Sequence, residues 1–106
     1  MASEQSINRV LSEINKFNEQ RGWSKFHSVK NLSMALSVEV AELIELSQWK
    51  TEQESNEPSA EELDKYKDEV ADVFIYLLQI SQKLKLDITE VALKKIIKNS
   101  VKYSVK

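Results

Sequence analysis

The sequence predicts an all-α fold, and more specifically a four-helix, antiparallel bundle that is completed by oligomerisation. The chain of 106 residues contains one glycine and one proline, so turns are few and helices run long. Apolar residues recur at the i, i+3, i+4 spacing of an amphipathic helix in four segments. We expect one domain over residues 1–106, with an apolar face left for a second copy to cover.

The first predicted helix carries an apolar stripe on one side. The residues of the stripe are Ile7, Val10, Leu11, Ile14 and Phe17. Ser3 or Ser6 is the candidate N-cap, and Gly22 is expected to mark the end of the helix. Residues 23–27 then form a connection that holds two aromatic side chains and the only histidine, His27.

The second predicted helix runs from about Asn31 to about Trp49. Its apolar residues occupy nearly the whole circumference. A helix that is apolar almost all round is normally central and buried, so this helix is expected to form the middle of the fold.

Two capping patterns predict where the last two helices begin. Residues 51–59 are polar and are expected to form a loop. Ser59 and Glu62 have the spacing of a capping box, which predicts a third helix from there to about Leu84. Asp87 and Glu90 repeat the pattern and predict a fourth helix that ends near Lys102.

Composition limits the partners and the compartment. With 15 basic and 17 acidic residues the net charge is −2, which gives no electrostatic footprint for a DNA or RNA polymer. Cysteine is absent, so thiolate metal sites are excluded and a reducing compartment fits. The start of the sequence has neither a signal-peptide pattern nor a membrane span, and a cytoplasmic protein with no membrane partner is expected.

Two pairs of acidic residues are the most informative chemical feature. Glu39 and Glu42 lie three apart in the apolar second helix, and Glu69 and Asp72 lie three apart in the third. If the two helices pack antiparallel, the four carboxylates converge, and hard oxygen ligands select magnesium, manganese or calcium over zinc. Acids with this spacing are also common on solvated helix faces, so spacing alone leaves both interpretations open.

Two familiar site types are excluded. Ferritin-like di-iron sites need Glu-x-x-His pairs, and His27 lies outside the acidic helices. A glycine-rich phosphate loop needs more than one glycine. Bound phosphates would therefore have to be held by metal ions and lysines.

The acid pairs and the residues around them resemble the MazG-like all-α nucleoside triphosphate pyrophosphohydrolases, and in particular the dCTP pyrophosphatase branch. The resemblance covers roughly residues 13–103. The motifs that carry it are Arg21-Gly-Trp23, Phe26-His27, Asn31-Leu32, Glu39-Val-Ala-Glu42-Leu-x-Glu45, Gln48-Trp49-Lys50, Glu69-x-x-Asp72-Val-x-x-Tyr76-Leu and Lys95-x-x-x-Asn99-x-x-Lys102-Tyr103. One departure is Ser104, because the family motif commonly places proline after the tyrosine.

The resemblance implies hydrolysis between the α- and β-phosphates of a (deoxy)nucleoside triphosphate, with dNTPs such as dCTP as substrates and nucleotide-pool house-cleaning as the role. The implied cofactor is Mg²⁺, with Mn²⁺ as a substitute, held by Glu39, Glu42, Glu69 and Asp72. The implied catalytic acids are Glu39, Glu42 and Glu45, and either Glu39 or Glu45 is the general base. The implied assembly is a homodimer or homotetramer whose pockets are shared between subunits.

The resemblance also implies a set of substrate-binding residues: Trp23, His27, Asn31, Trp49, Tyr76, Lys95, Asn99, Lys102 and Tyr103. Trp23 and Trp49 would stack on the base, although a tryptophan at a helix end is more often a packing anchor. Lys95 and Lys102 would add positive charge at the phosphates.

Two other functions stay open from the sequence. One is a non-catalytic helical module that senses nucleotides or binds a protein. The other keeps the fold and changes the substrate to phosphoribosyl-ATP or dUTP, which the set of Trp23, His27 and Trp49 argues against.

Overall fold

The computed structural model describes residues 4–105, and within that range it contains helices and no strand. The elements are α1 Glu4–Gln20, a 3-10 turn at Ser24–Phe26, α2 Val29–Glu45, α3 Glu52–Asn56, α4 Ala60–Lys83 and α5 Ile88–Lys102. The predicted all-α class is therefore confirmed. None of the described helices is both long and apolar enough to cross a membrane.

Helix α1 ends in a Schellman motif at the only glycine. Gly22 has φ +64°, its N–H donates to the carbonyl of Glu19 at 3.1 Å, and the Trp23 N–H donates to the carbonyl of Asn18 at 2.9 Å. Glycine adopts this left-handed conformation without steric cost. At the other end, Ser6 lies inside α1 and is not its N-cap, while Ser3 falls outside the described residues.

Helix α2 is shorter and less buried than the sequence predicts. It begins after the N-cap Ser28 and ends at Glu45, and hydrogen-bonded turns replace the predicted last turn before Trp49. Leu32 is the buried residue of α2, whereas Met34 and Val38 are more than half exposed. The expectation of an all-round buried helix is wrong for the isolated chain, because only one face of α2 packs on a neighbour.

The predicted loop 51–59 contains the short helix α3. Thr51 caps it with a complete capping box, since the Thr51 hydroxyl accepts from the Glu54 N–H and the Glu54 carboxylate accepts from the Thr51 N–H. The prediction of a polar loop over residues 51–59 missed this helix, because the segment has no apolar stripe.

Helices α2 and α4 form the main packing unit of the chain. They run antiparallel, because Lys50 beyond the end of α2 pairs with Glu62 at the start of α4, while Glu39 adjoins Asp72 further along. Helix α4 begins at the predicted capping box, with Ser59 Oγ accepting from the Glu62 N–H at 3.2 Å. Helix α1 packs against α4.

Helix α5 begins as predicted but barely touches the other helices. Asp87 Oδ1 accepts from the Glu90 N–H at 3.1 Å, and Glu90 then pairs with Lys94 at 2.8 Å. The contacts of α5 with the rest of the described chain are marginal. Its exposed apolar side chains are Val91, Leu93, Ile96, Ile97 and Val101. One chain alone therefore does not complete a four-helix bundle, which remains a prediction for the assembly.

Candidate active site

Three of the four predicted metal ligands meet between α2 and α4. One carboxylate oxygen from each of Glu39, Glu69 and Asp72 lies within 4.8 Å of the other two. The carboxylate of Glu42, one turn from Glu39, is close enough to raise the pKa of both Glu39 and Glu69. The i, i+3 spacing places both acids of a helix on the same side. The packing of α2 on α4 turns these two sides toward each other.

The electrostatics of this cluster show that it needs a positive partner. Burial, together with the neighbouring carboxylates of Glu42 and Asp72, raises the pKa of Glu39 from 4.5 to about 7. Burial, together with Glu42, also raises the pKa of Glu69. Carboxylates this close cannot all carry charge near neutral pH unless a proton or a cation compensates them.

The donor set fits a hard divalent cation. Glu39 Oε2 and Glu69 Oε2 are buried and have no hydrogen-bond partner. Buried acceptors of this kind are normally satisfied, and a cation between the two helices would satisfy both. All the donors are carboxylate oxygens, the ligands that Mg²⁺ and Mn²⁺ prefer over the nitrogen and sulfur ligands typical of zinc.

A cleft of about 810 Å³ lies beside the cluster, between α1 and α4. Asp72 belongs to both the cluster and the cleft wall. The cleft is lined by Ser6, Arg9, Val10, Glu13, Ile14, Phe17, Asn18, Trp23, His27, Asp72, Ile75, Tyr76 and Gln79. Its size is in the range of small-molecule sites, and its position would place one end of a ligand at the carboxylates.

Local structure fixes the aromatic end of the cleft. The Schellman motif places Trp23 against Phe17, with ring centroids 5.6 Å apart in an edge-to-face contact. The 3-10 turn and the Ser28 N-cap then hold the half-buried His27 between them. The only glycine of the chain therefore positions an aromatic wall of the cleft.

Tyr76 lies one turn beyond Asp72 on α4 and lines the same cleft. Burial raises the pKa of the Tyr76 phenol, and the nearby carboxylates of Glu39 and Asp72 add to this effect. Its hydroxyl therefore stays protonated and can donate a hydrogen bond at physiological pH.

Several predicted site residues lie elsewhere in the single chain. Asn31 Nδ2 donates to the Phe26 carbonyl at 2.8 Å, which stabilises the turn before α2. Trp49 is 90 % exposed, and Glu45 is an exposed residue at the end of α2 outside the three-carboxylate group. Four predicted residues of α5 and its C-cap also lie outside the cleft lining, namely Lys95, Asn99, Lys102 and Tyr103.

The structure also shows polar groups that the sequence reasoning missed. Asn18 and Gln79 are buried in the cleft wall and share a hydrogen bond. Tyr66 Oη is buried without a partner, and the Lys50 ammonium lies 6.0 Å from the centre of the Tyr66 ring. A signal for Gln79 was present in the sequence, because it interrupts the apolar run from Leu77 to Ile80.

The protein is therefore an all-α chain with a cluster of carboxylates, a donor set that fits a hard cation, on a helix pair beside a cleft of ligand size. The MazG-like family model matches residues 34–106, and the chain belongs to the MazG-like family. The matched range includes all four acids. Trp23 and His27 precede it.

Individual proteins extend the match toward the N-terminus. The chain is 36% identical to human (Homo sapiens) dCTP pyrophosphatase 1 over 101 residues, which is 93% of this chain and 58% of that protein. It is 35% identical to the Mus musculus dCTP pyrophosphatase 1 over 104 residues, which is 95% of this chain and 59% of that protein. The chain thus spans less than two thirds of the length of these relatives.

A solved structure matches the whole chain. A pyrophosphatase from Archaeoglobus fulgidus DSM 4304 superposes with a TM-score of 0.88 at 33% identity, over 99% of this chain and 98% of that one.

Proposed function

We propose that this protein hydrolyses deoxynucleoside triphosphates such as dCTP between the α- and β-phosphates, releasing the monophosphate and pyrophosphate in a Mg²⁺-dependent reaction. The observation that carries the proposal is the cluster of carboxylates from Glu39, Glu69 and Asp72 at one end of the cleft. Two oxygens of this cluster, Glu39 Oε2 and Glu69 Oε2, are buried and have no hydrogen-bond partner. The matched relatives named as dCTP pyrophosphatases support the choice of substrate.

The cleft and the carboxylates would divide the substrate between them. The triphosphate would lie at the acids, and the base would enter the cleft between Trp23 and His27. Tyr76, between these two ends, would pack against the sugar. A tyrosine ring against the sugar would disfavour a 2′-hydroxyl, and a preference for deoxynucleotides is therefore part of the proposal.

The residues that would hold Mg²⁺ are Glu39, Glu42, Glu69 and Asp72. When bound, the ion would neutralise phosphate charge and make an attacking water more acidic. The general base is proposed to be Glu39, because it is half-buried within the cluster whereas Glu45 is exposed and lies outside it.

A homodimer or homotetramer is part of the proposal. Helix α5 exposes a row of apolar side chains that includes Ile96, Ile97 and Val101. Exposed apolar patches of this kind mark protein–protein contacts, and a second copy of the chain would bury this one. The same association would bring Lys95 and Lys102 of one chain toward the carboxylates of the other. The proposed role is house-cleaning of the nucleotide pool in the cytoplasm.

The test is pyrophosphate release from dCTP, dATP, dTTP, dUTP and the ribonucleotides, measured with Mg²⁺, with Mn²⁺ and with a chelator. We expect metal-dependent release, fastest for deoxynucleotides, and loss of release in Glu42→Gln. Glu61→Gln is the matched control, because Glu61 is an exposed acid in the first turn of α4. No turnover of any nucleotide, or full activity in Glu42→Gln, would overturn the proposal. Nucleotide binding without products would favour the non-catalytic module.

A further inference from the structure

Two buried amides link α1 to α4 in the wall of the cleft. Asn18 is 8 % exposed and Gln79 is 7 % exposed. Asn18 Nδ2 donates to Gln79 Oε1 at 2.8 Å. Both residues line the cleft together with Trp23, His27 and Tyr76. A buried amide costs free energy unless its groups are hydrogen-bonded, so a pair kept in a cleft wall calls for an explanation.

The hydrogen bond between the two amides leaves polar atoms unused. An amide side chain offers two N–H donors and one carbonyl acceptor. The bond consumes one donor of Asn18 and one lone pair of Gln79, which leaves Asn18 Oδ1 as an acceptor and Gln79 Nε2 as a donor. Neither atom is among the fully buried unpartnered atoms of the described residues. They therefore remain accessible from the cleft.

The orientations of the two amides are coupled. If either amide turned over alone, two donors or two acceptors would face each other, so both must turn together. The cleft therefore presents an acceptor beside a donor as a preformed unit on two helices. Preformed groups of this kind lose little freedom when they bind a ligand.

We propose that Asn18 and Gln79 form the base-reading pair of this site and hydrogen-bond the edge of the nucleobase, an inference that rests on the proposed nucleotide hydrolysis. In the 4-amino/N3 edge of cytosine, the amino group donates to Asn18 Oδ1 and N3 accepts from Gln79 Nε2. The two groups bind the base without touching the phosphates, so they are specificity-determining residues.

The register of α4 places the pair at the correct distance from the acids. Asp72, Tyr76 and Gln79 follow the i, i+4, i+7 spacing of one helix face, and all three line the cleft. Seven residues of helix span about 10 Å. Phosphates held at Asp72 thus leave room for a sugar over Tyr76 and for a base edge at Gln79.

The experiment compares two substrates in three proteins. The substrates are dCTP and the deoxynucleoside triphosphate of pyrimidin-2-one, which lacks the 4-amino group. The proteins are wild type, the variant Asn18→Leu/Gln79→Leu, and the control Asn15→Leu/Gln82→Leu, which makes the same changes outside the cleft lining on the same helices. Replacing both partners of a hydrogen bond by apolar groups of similar size is tolerated better than replacing one.

In the wild type, we expect kcat/KM for dCTP to exceed that for the analogue by about 10- to 100-fold, because a site built to hydrogen-bond a substrate rejects one that lacks the group. In Asn18→Leu/Gln79→Leu the ratio should fall to about 1, mainly through KM for dCTP. The control should keep the wild-type ratio. A ratio that stays at the wild-type value in Asn18→Leu/Gln79→Leu would refute the inference.

Two further arms separate the possible failures. If the double variant loses its helical circular dichroism, Asn18→Leu alone gives the same comparison with a smaller change in the wall, because Asn18 is the proposed acceptor for the 4-amino group that the analogue lacks. If wild type releases no pyrophosphate from either compound, the proposed function fails, and calorimetric dissociation constants of both compounds in the presence of Mg²⁺ take the place of kcat/KM. Equal affinity of wild type for dCTP and the analogue would then refute the base-reading pair by itself.

Discussion

The helix pair α2–α4 and the C-terminal helix α5 differ in how much of their surface is packed against other helices of the same chain. The pair is packed along one face and brings acids from two helices within 4.8 Å of one another. Helix α5 has a capped start and a regular backbone, yet its side chains Ile97 and Val101 are 66 % and 77 % exposed. The acidic half of the proposed site is thus built within one chain. The proposed basic half, Lys95 and Lys102 of α5, lies outside the cleft lining of that chain.

The proposed site can therefore be disrupted by two routes. A change in the acid cluster would act on each chain separately. A change on α5 would act through the proposed assembly.

The largest effect is expected from Glu39→Gln. The substitution removes a proposed cation ligand and the proposed general base, so pyrophosphate release should fall by at least about 100-fold. Folding should survive, because the neutral amide resembles the protonated acid that burial favours. Steady-state kinetics and circular dichroism check the two statements. Wild-type rates in Glu39→Gln would show that the cluster is not the catalytic centre.

The second effect distinguishes a shared site from a site within one chain. Lys95→Ala/Lys102→Ala should lower kcat/KM by about 10- to 100-fold, because two charge-assisted contacts with phosphate are lost. When this variant is mixed in equal amounts with Glu39→Gln, about a quarter of wild-type activity should return. Half of the dimers would contain one chain of each variant, and one of the two sites in each such dimer would be intact. Activity that does not rise on mixing, although exchange of chains is verified by mass spectrometry, would place both sets of residues in the same chain.

A third prediction concerns the apolar row of α5 itself. Ile97→Lys should weaken self-association by about 10- to 100-fold, because it places a charge where an apolar contact is expected. Lys98→Ala is the matched control on the same helix, with an exposed side chain. Light scattering over a range of concentrations measures both. Wild type that is already monomeric at micromolar concentration would contradict the proposed assembly.

The fourth prediction uses the pKa of Glu39. A carboxyl whose pKa rises from 4.5 to about 7 on folding binds its proton more tightly in the folded state. Its contribution to stability is therefore complete below its unfolded pKa and is lost as the pH rises through about 7. The raised pKa of Glu69 acts in the same direction. The melting temperature of the metal-free protein should fall by several degrees between about pH 5 and about pH 8.

Two controls sharpen that experiment. Saturating Mg²⁺ should remove much of the fall, because it stabilises the ionised carboxylates and binds only the folded state. Glu39→Gln should flatten the pH dependence, because the amide does not titrate. A metal-free melting temperature that rises over the same range in wild type but not in Glu39→Gln would contradict the assigned direction.

The smallest effect is expected at the start of α4. Ser59→Ala removes one half of the capping box and should cost about 1 kcal/mol of unfolding free energy. The melting temperature should fall by a few degrees while kcat/KM stays unchanged. Ser12→Ala, on an exposed position of α1, is the control. An equal fall in both variants would show that the cap adds nothing specific.

Local signals in the sequence were sufficient for the elements that depend on them. The Ser59–Glu62 pattern correctly predicted the start of α4, and Gly22 the end of α1. The convergence of the acids followed from their i, i+3 spacing and the antiparallel packing. These features rest on contacts within a few residues or on one simple packing rule, so one sequence contains the necessary information.

Features that depend on which distant residues or which other chain pack against a surface could not be predicted from local sequence patterns. The apolar circumference of α2 suggested a helix buried all round, yet Met34 and Val38 are exposed in the single chain, because apolarity does not identify the neighbour. The bond between Asn18 and Gln79 joins residues 61 apart in sequence, and no local pattern links them. Trp49 is likewise exposed in the single chain, and its place in the sequence does not identify what would cover it.

The most direct test of the central claim is ³¹P NMR of dCTP incubated with the wild-type protein, with and without Mg²⁺. The acid cluster beside the cleft predicts that the three dCTP signals are replaced by those of dCMP and pyrophosphate, and only when Mg²⁺ is present. Glu39→Gln should leave the dCTP spectrum unchanged over the same time. Formation of dCDP and inorganic phosphate would contradict the proposed reaction. Formation of dCMP and pyrophosphate at the same rate without a divalent cation would contradict the proposed role of the acid cluster.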